Sequence, residues 1–212
     1  ELCFAYIPEK KTEVHNANLL TAAFLSRFCG PGNNTALEEM IHKACRFSLT
    51  DLAQDGYWPY GKESHHRWMD SFHTGFNLET LLQIRAQLKT DRYDAVIKKV
   101  FGFYIENFFL KDGTPKYYHN KTYPIDVHNI AEAIILLSKI VKDVNLFSEA
   151  EKGRARQLLG LVVDYAMRNF WDERRNYFYF QKTKYWTNRI PYIRWSQAWM
   201  FYALTCYRGG KP

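Results

Sequence analysis

The chain has 212 residues, 47% of them apolar and 17% aromatic, which is enough to bury the core of one full-sized globular domain and excludes a disordered chain. Its formal charge of +7 is scattered over Lys and Arg in almost every segment. That pattern suits a solvated surface with some attraction to anions and argues against nucleic acid as a partner.

No apolar run approaches the ~20 residues needed to span a bilayer, so no membrane span is expected. No signal peptide is recognised, which points to a cytoplasmic protein. The chain opens on Glu1 instead of Met, so a removed upstream segment is expected. Four cysteines, Cys3, Cys29, Cys45 and Cys206, show neither CxxC nor Cys/His ligand spacing and are expected as free core thiols.

The predicted elements alternate between two kinds. An aromatic patch, ELCFAY (1–6), precedes a helix HNANLLTAAFLSRF (15–28), and GPGNN (30–34) is expected to stop it. A helix apolar at 37, 40, 41, 44, 45 and 52 comes next and packs on one side only. The second patch, DGYWPY (55–60), leads to the helix DSFHTGFNLETLLQI (70–84), and a one-sided helix follows with apolar residues at 93, 96, 97, 100, 101, 104 and 108. The third patch, DGTPKYY (112–118), leads to DVHNIAEAIILLSKI (126–140), apolar nearly all round. The one-sided helix 148–170 takes Ser148 as its N-cap, with Glu149 and Glu151 in its first turn. A last patch, NYFYF (176–180), precedes RWSQAWMFYALTCY (194–207).

This is a weak fourfold repeat. His15-Asn16, His73-Thr74, His128-Asn129 and Ser196-Gln197 occupy equivalent helix entries, spaced 58, 55 and 68 residues apart from His15 to His73 to His128 to Ser196. Helices covered on several sides alternate with helices covered on one, so the expected fold is all-α, with αα-hairpins stacking into an α/α toroid. Four inner and three outer helices make about three and a half hairpins, an incomplete ring. Residues 1–212 are expected as a single toroid domain, the C-terminal portion of a larger ring, completed by missing N-terminal hairpins or by self-association.

Inner-helix N-termini at one rim would gather His15, Asn16, Asp70, His73, Asp126, His128, Arg194, Trp195 and Gln197, with unpaired backbone N–H groups that favour anions. Lys62, His65, His66, Arg67, Lys121 and Arg189 in the preceding loops add positive charge. Rings beside polar groups suit sugars, whose C–H faces stack on Trp and Tyr while hydroxyls bond Asp, Asn, His and Arg. Trp58, Tyr60, Trp68, Tyr117, Tyr123, Trp186, Tyr192, Trp195 and Trp199 supply such rings, with Lys62, Asn129 and Gln197 as polar partners. Packing between hairpins explains any one ring equally well, and Trp199 better still.

Asp70 and Asp126 stand where an N-cap is common. Neighbouring helix axes lie about 8–10 Å apart, so acids on adjacent inner helices approach the ~6.5–9.5 Å separation of inverting glycosidase pairs. Asp70, Asp126, His73 and His128 are therefore the catalytic candidates. No HExxH or Cys/His spacing marks a metal site, and no cofactor is expected. His65 and His66 read as solvated loop.

The stretches VHNANLL (14–20), DGYWPYG (55–61), WMDSFHTGF (68–76), DGTPKYYHNKTYPIDVHNIAEAI (112–134) and RIPYIRWSQAWMFYAL (189–204) resemble a bacterial family of α/α-toroid proteins encoded with polysaccharide-biosynthesis genes, six-hairpin glycosidase-like or prenyltransferase and squalene-cyclase-like. The resemblance implies the toroid and a carbohydrate context. Three functions stay open. The first is a glycoside hydrolase-like protein that binds, and hydrolyses or modifies, an acidic polysaccharide or its precursor. The second is a non-catalytic glycan-binding or polysaccharide-assembly protein. The third is an isoprenoid enzyme on the same ring, although the DxDD and DDxxD clusters of that chemistry are absent.

Overall fold

The computed structural model describes residues 2–7, 9, 12–29 and 35–209. The GPGNN run and Glu1 of the first patch lie outside the described residues. Seven α-helices are present among them: α1 His15–Ser26, α2 Thr35–Leu49, α3 Ser71–Leu88, α4 Asp94–Asn107, α5 Val127–Lys142, α6 Glu149–Asn169 and α7 Ala198–Arg208. They follow the expected alternation within a few residues at each end. The chain divides into two compact units, Glu1–Tyr104 and Ile105–Pro212.

In the first unit α1 packs against both α2 and α3. Asp70 caps α3, accepting the backbone N–H of His73 at 2.7 Å, and Lys89 ends the helix in the left-handed region at φ 50°. A two-point Arg85–Asp94 contact of 2.6 and 3.1 Å then ties the end of α3 to the start of α4.

In the second unit α5 packs against α6 and α7. Twelve of its 16 residues are buried, against four of 21 in α6, which makes α5 the inner and α6 the outer member of a hairpin. Ser148 and Glu151 form the expected cap of α6 reciprocally: Glu151 N–H donates to Ser148 Oγ and Ser148 N–H donates to the Glu151 carboxylate.

Two of the aromatic patches, DGYWPY and DGTPKYY, open with turns held by aspartates. Asp55 and Asp112 each accept the N–H two residues on, from Tyr57 at 2.9 Å and Thr114 at 3.0 Å. The glycine between, at φ 98° for Gly56 and 83° for Gly113, adopts a conformation that a side chain disfavours.

Three features depart from the expectation. Short strands occur in the second unit: β1 Ile125–Asp126, β2 Trp171–Asp172, β3 Tyr177–Phe178, β4 Gln181–Lys182 and β5 Thr187–Asn188. They form an antiparallel β2–β3 pair and an antiparallel β1–β4–β5 sheet, with Asp126 opposite Gln181. Two-residue strands are too short for alternation to show in sequence. The helix expected from Arg194 instead opens with a π-helical turn, Ile193–Gln197. Finally, α1 and α7, expected to be covered on several sides, each keep an open apolar face. Leu20, Phe24 and Phe28 are exposed on and just after α1, and Phe201 is 77% exposed on α7, because nothing among the described residues packs there. The four cysteines are free as expected, but Cys3 and Cys29 are only half-buried.

Candidate functional site

The N-terminus of α3 carries the first cluster. Asp70 is 1% exposed, and besides capping the helix with one oxygen it places the other 2.7 Å from Nδ1 of His73. A carboxylate only accepts, so Nδ1 carries the proton and Nε2 is left as the basic nitrogen. Among the described residues nothing bonds that Nε2, and the His73 side chain keeps 22% of its surface exposed. Aromatic rings enclose it. Tyr60 lies 4.6 Å away edge-on, Trp68 5.7 Å and Phe72 5.1 Å, and Tyr60 and Trp68 stack at 4.4 Å and 10°. Backbone pairing of Tyr60 with Trp68 at 2.8 Å holds the two rings in register.

The N-terminus of α5 repeats the arrangement in the second unit. Oδ1 of Asp126 accepts both the backbone N–H and Nδ1–H of His128, each at 2.9 Å. Its Oδ2 accepts Nε2–H of Gln181 at 3.0 Å from the neighbouring strand. Trp195 at 5.6 Å, Trp199 at 6.0 Å and Phe180 at 6.2 Å stand edge-on around the His128 ring. Tyr192, 39% exposed, packs on Phe180 at 5.0 Å, and Arg194 lies 5.7 Å over the Trp195 ring. The two histidines are not in the same register. His73 is the third residue of its helix and His128 the second, so the equivalence seen in sequence is one of chemistry and not of position.

At the start of α1, Nε2 of His15 meets Asp51 at 3.1 Å, and Arg67 approaches the same Asp51 oxygen at 3.4 Å. His15 is wholly buried against Trp58 and Phe47, and its Nδ1 has no hydrogen-bond partner among the described residues. Burial pushes its pKa from the ordinary 6.5 down to about 4, with Asp51 opposing the shift.

Of the remaining candidates, the structure places several away from any open surface. Trp58 is 2% exposed and donates its indole N–H to the Ser48 carbonyl at 3.1 Å. Asn129 is buried, while Asn16 is partly exposed. Gln197 clamps the backbone of Phe178 in both directions, at 2.9 and 2.8 Å, which fixes β3. Lys62 sits 4.0 Å over the Phe47 ring, Tyr117 packs on Tyr118 at 4.7 Å, and Tyr123 is 44% exposed.

Sequence reasoning had no signal for Asp51 and Phe72 as partners of His15 and His73, or for Gln181 as a partner of Asp126. Trp199, read as a packing residue, packs edge-on against the His128 ring at 6.0 Å. Sequence reasoning also passed over Glu132, an acid wholly buried in α5 one turn beyond His128.

No known family model matches the chain and no curated protein matches its sequence. Solved structures do. A family 76 glycoside hydrolase α-mannanase from Bacteroides thetaiotaomicron superposes with a TM-score of 0.66 at 9% identity, over 96% of this chain and 64% of its own. Cellobiose 2-epimerase from Bacillus thermoamylovorans gives 0.70 at 12%, over 92% and 52%. An unsaturated glucuronyl hydrolase from a Bacillus species gives 0.69 at 12%, over 98% and 62%. The chain thus spans between half and two thirds of the length of each structure. The class these matches define is that of the six-hairpin glycosidase-like α/α toroids. At such identities the likeness is one of fold alone: the chain shares the αα-hairpin architecture of these structures over the part of their length that it spans.

Proposed function

We propose that the chain is carbohydrate-active, binding an acidic polysaccharide or its precursor and hydrolysing or modifying it at the Asp–His pairs that open α3 and α5. The observation that carries this reading is the pairing itself: in each unit a buried carboxylate fixes the tautomer of a histidine inside a wall of aromatic rings. Rings stack on the C–H faces of a sugar, and the His73 imidazole, with its proton held on Nδ1, presents Nε2 to take a proton from a hydroxyl or a water. The fold neighbours agree with the direction. The unsaturated glucuronyl hydrolase is described as responsible for glycosaminoglycan degradation, and glycosaminoglycans are acidic chains. The net charge of +7 favours such a ligand.

A second reading, glycan binding without turnover, is favoured by one observation. Both oxygens of Asp70 are engaged by His73, one as the helix cap and one on the ring, which suits an anchoring role better than that of a general acid. Mass-spectrometric turnover of the purified protein on uronate-containing and neutral oligosaccharides, beside Asp70→Asn, separates the two. Product from the native protein that is lost in the variant supports catalysis at this pair. Binding without product in both leaves the glycan-binding reading.

A further inference from the structure

The loop between Tyr60 and Trp68 carries three more potential donors that the Asp–His pairs do not use. Ser64–His66 form a short 3-10 turn, closed by the His66 N–H donating to the Glu63 carbonyl at 2.8 Å. The Gly61 N–H donates to the His66 carbonyl at 3.1 Å. A Cβ at Gly61 would lie 2.7 Å from the Glu13 carbonyl oxygen and 3.2 Å from the His66 Cβ, so the loop is drawn tight here. The turn brings a carboxylate oxygen of Glu63 and one ring nitrogen each of His65 and His66 within 4.8 Å of one another.

The spacings within this cluster are informative. Glu63 Oε2 lies 3.2 Å from Nε2 of His65 and 3.4 Å from Nδ1 of His66. Charge-assisted N–H···O bonds run shorter, about 2.7–2.9 Å. Two ligands on a tetrahedral zinc ion, with metal–donor bonds of about 2.0–2.2 Å, sit ~3.3 Å apart. Moreover, Nδ1 of His66 is buried and has no hydrogen-bond partner among the described residues, a state that costs free energy unless something fills the need.

We propose that Glu63, His65 and His66 form a three-ligand site for a divalent ion of the zinc class, with the fourth position open to water or to an anionic ligand. Two imidazoles and one carboxylate suit zinc and its neighbours and not magnesium or calcium, which prefer oxygen donors throughout. His65, at 69% side-chain exposure, gives the ion access from solvent. Tyr60 packs on His66 at 5.2 Å and stacks on Trp68, so loading has a spectroscopic reporter within the same loop.

The test is calorimetric titration of the chelator-treated protein with zinc chloride, repeated on His65→Ala and on Glu63→Gln, with Trp68 fluorescence followed in parallel. Cobalt(II) loading adds the visible absorption of a low-symmetry site. One zinc per chain, weakened by more than ~10-fold in either variant, is the expected result, since even the outer-shell partners of metal sites are worth that much. Both side chains reach solvent, and unchanged helical circular dichroism would show that the variants fold. Either absence of zinc binding by the native chain or equal affinity in the folded variants overturns the proposal.

Discussion

Asp70 grips His73 twice: one carboxylate oxygen takes the residue's backbone N–H and the other its ring Nδ1, each at 2.7 Å. Capping and tautomer control are therefore one arrangement, and a single substitution can divide them. Asn is as good a cap as Asp, so Asp70→Asn should change stability by less than ~0.5 kcal/mol. Its amide N–H would face Nδ1 and drive the ring proton to Nε2. Turnover should fall by ~10²-fold or more, the scale of general acid–base catalysis. Chemical denaturation and product formation, measured on the same preparation, check both halves. Turnover unchanged by the substitution would remove the pair from the chemistry.

The stacked rings make a separate claim. Replacing Trp68 by Ala, or Trp195 by Ala in the second unit, should weaken glycan affinity by roughly 2–10-fold, corresponding to about 0.5–1.5 kcal/mol for a lost ring contact. Affinity measured by calorimetry on the preferred oligosaccharide is the readout. An exposed control, Tyr185→Ala, should leave it unmoved, because that ring is 85% exposed and packs only against Lys184 among the contacts seen here.

His15 predicts a pH dependence of stability. Its pKa lies at about 4 in the folded chain and near 6.5 in the unfolded one. Between those values the unfolded state binds a proton that the folded state refuses, so unfolding becomes easier as pH falls through this window, by up to ~1.4 kcal/mol per pH unit. The contribution is fully present above pH 6.5 and lost as pH drops through about 4. His15→Gln should flatten the slope of unfolding free energy between pH 6.5 and 4. A slope that survives the substitution assigns the effect to another group.

Gly113 is the fourth test. At φ 83° it tolerates no side chain easily, and an added Cβ would meet Leu161 Cβ at 2.5 Å and its backbone carbon at 2.9 Å. Gly113→Ala should cost more than ~1 kcal/mol, seen as a lowered midpoint in urea. A midpoint within error of the native chain would mean that the turn relaxes freely.

The fold was legible because helix caps and periodic apolar faces are local signals. Ser148 with Glu151, and Asp126 before Val127, can be read from a few adjacent letters, and both act as read. The site was legible only as far as it is local. Asp70 and His73 are three residues apart, so their contact was foreseeable in kind. Gln181 reaches Asp126 across 55 residues through strands too short to leave a pattern, and Asp51 finds His15 from 36 residues away. His15 is expected at a rim from its place at a helix N-terminus and Trp58 from the affinity of rings for sugars, but neither signal encodes which side of a hairpin a residue faces, and both are buried. The π-helical turn at Ile193–Gln197 leaves no mark of its own in so short a run of residues.

The strand contact of Asp126 makes the two carboxylates unequal under stress. Asp70 is served entirely by its own helix, whereas Asp126 is braced by a strand whose hairpin tip, Tyr185 and Trp186, stands in solvent. A cut or a fluctuation at that tip would slacken the second imidazole while the first kept its bearing. One candidate pair is thus set by helix formation alone, while the other also leans on a hairpin at the surface.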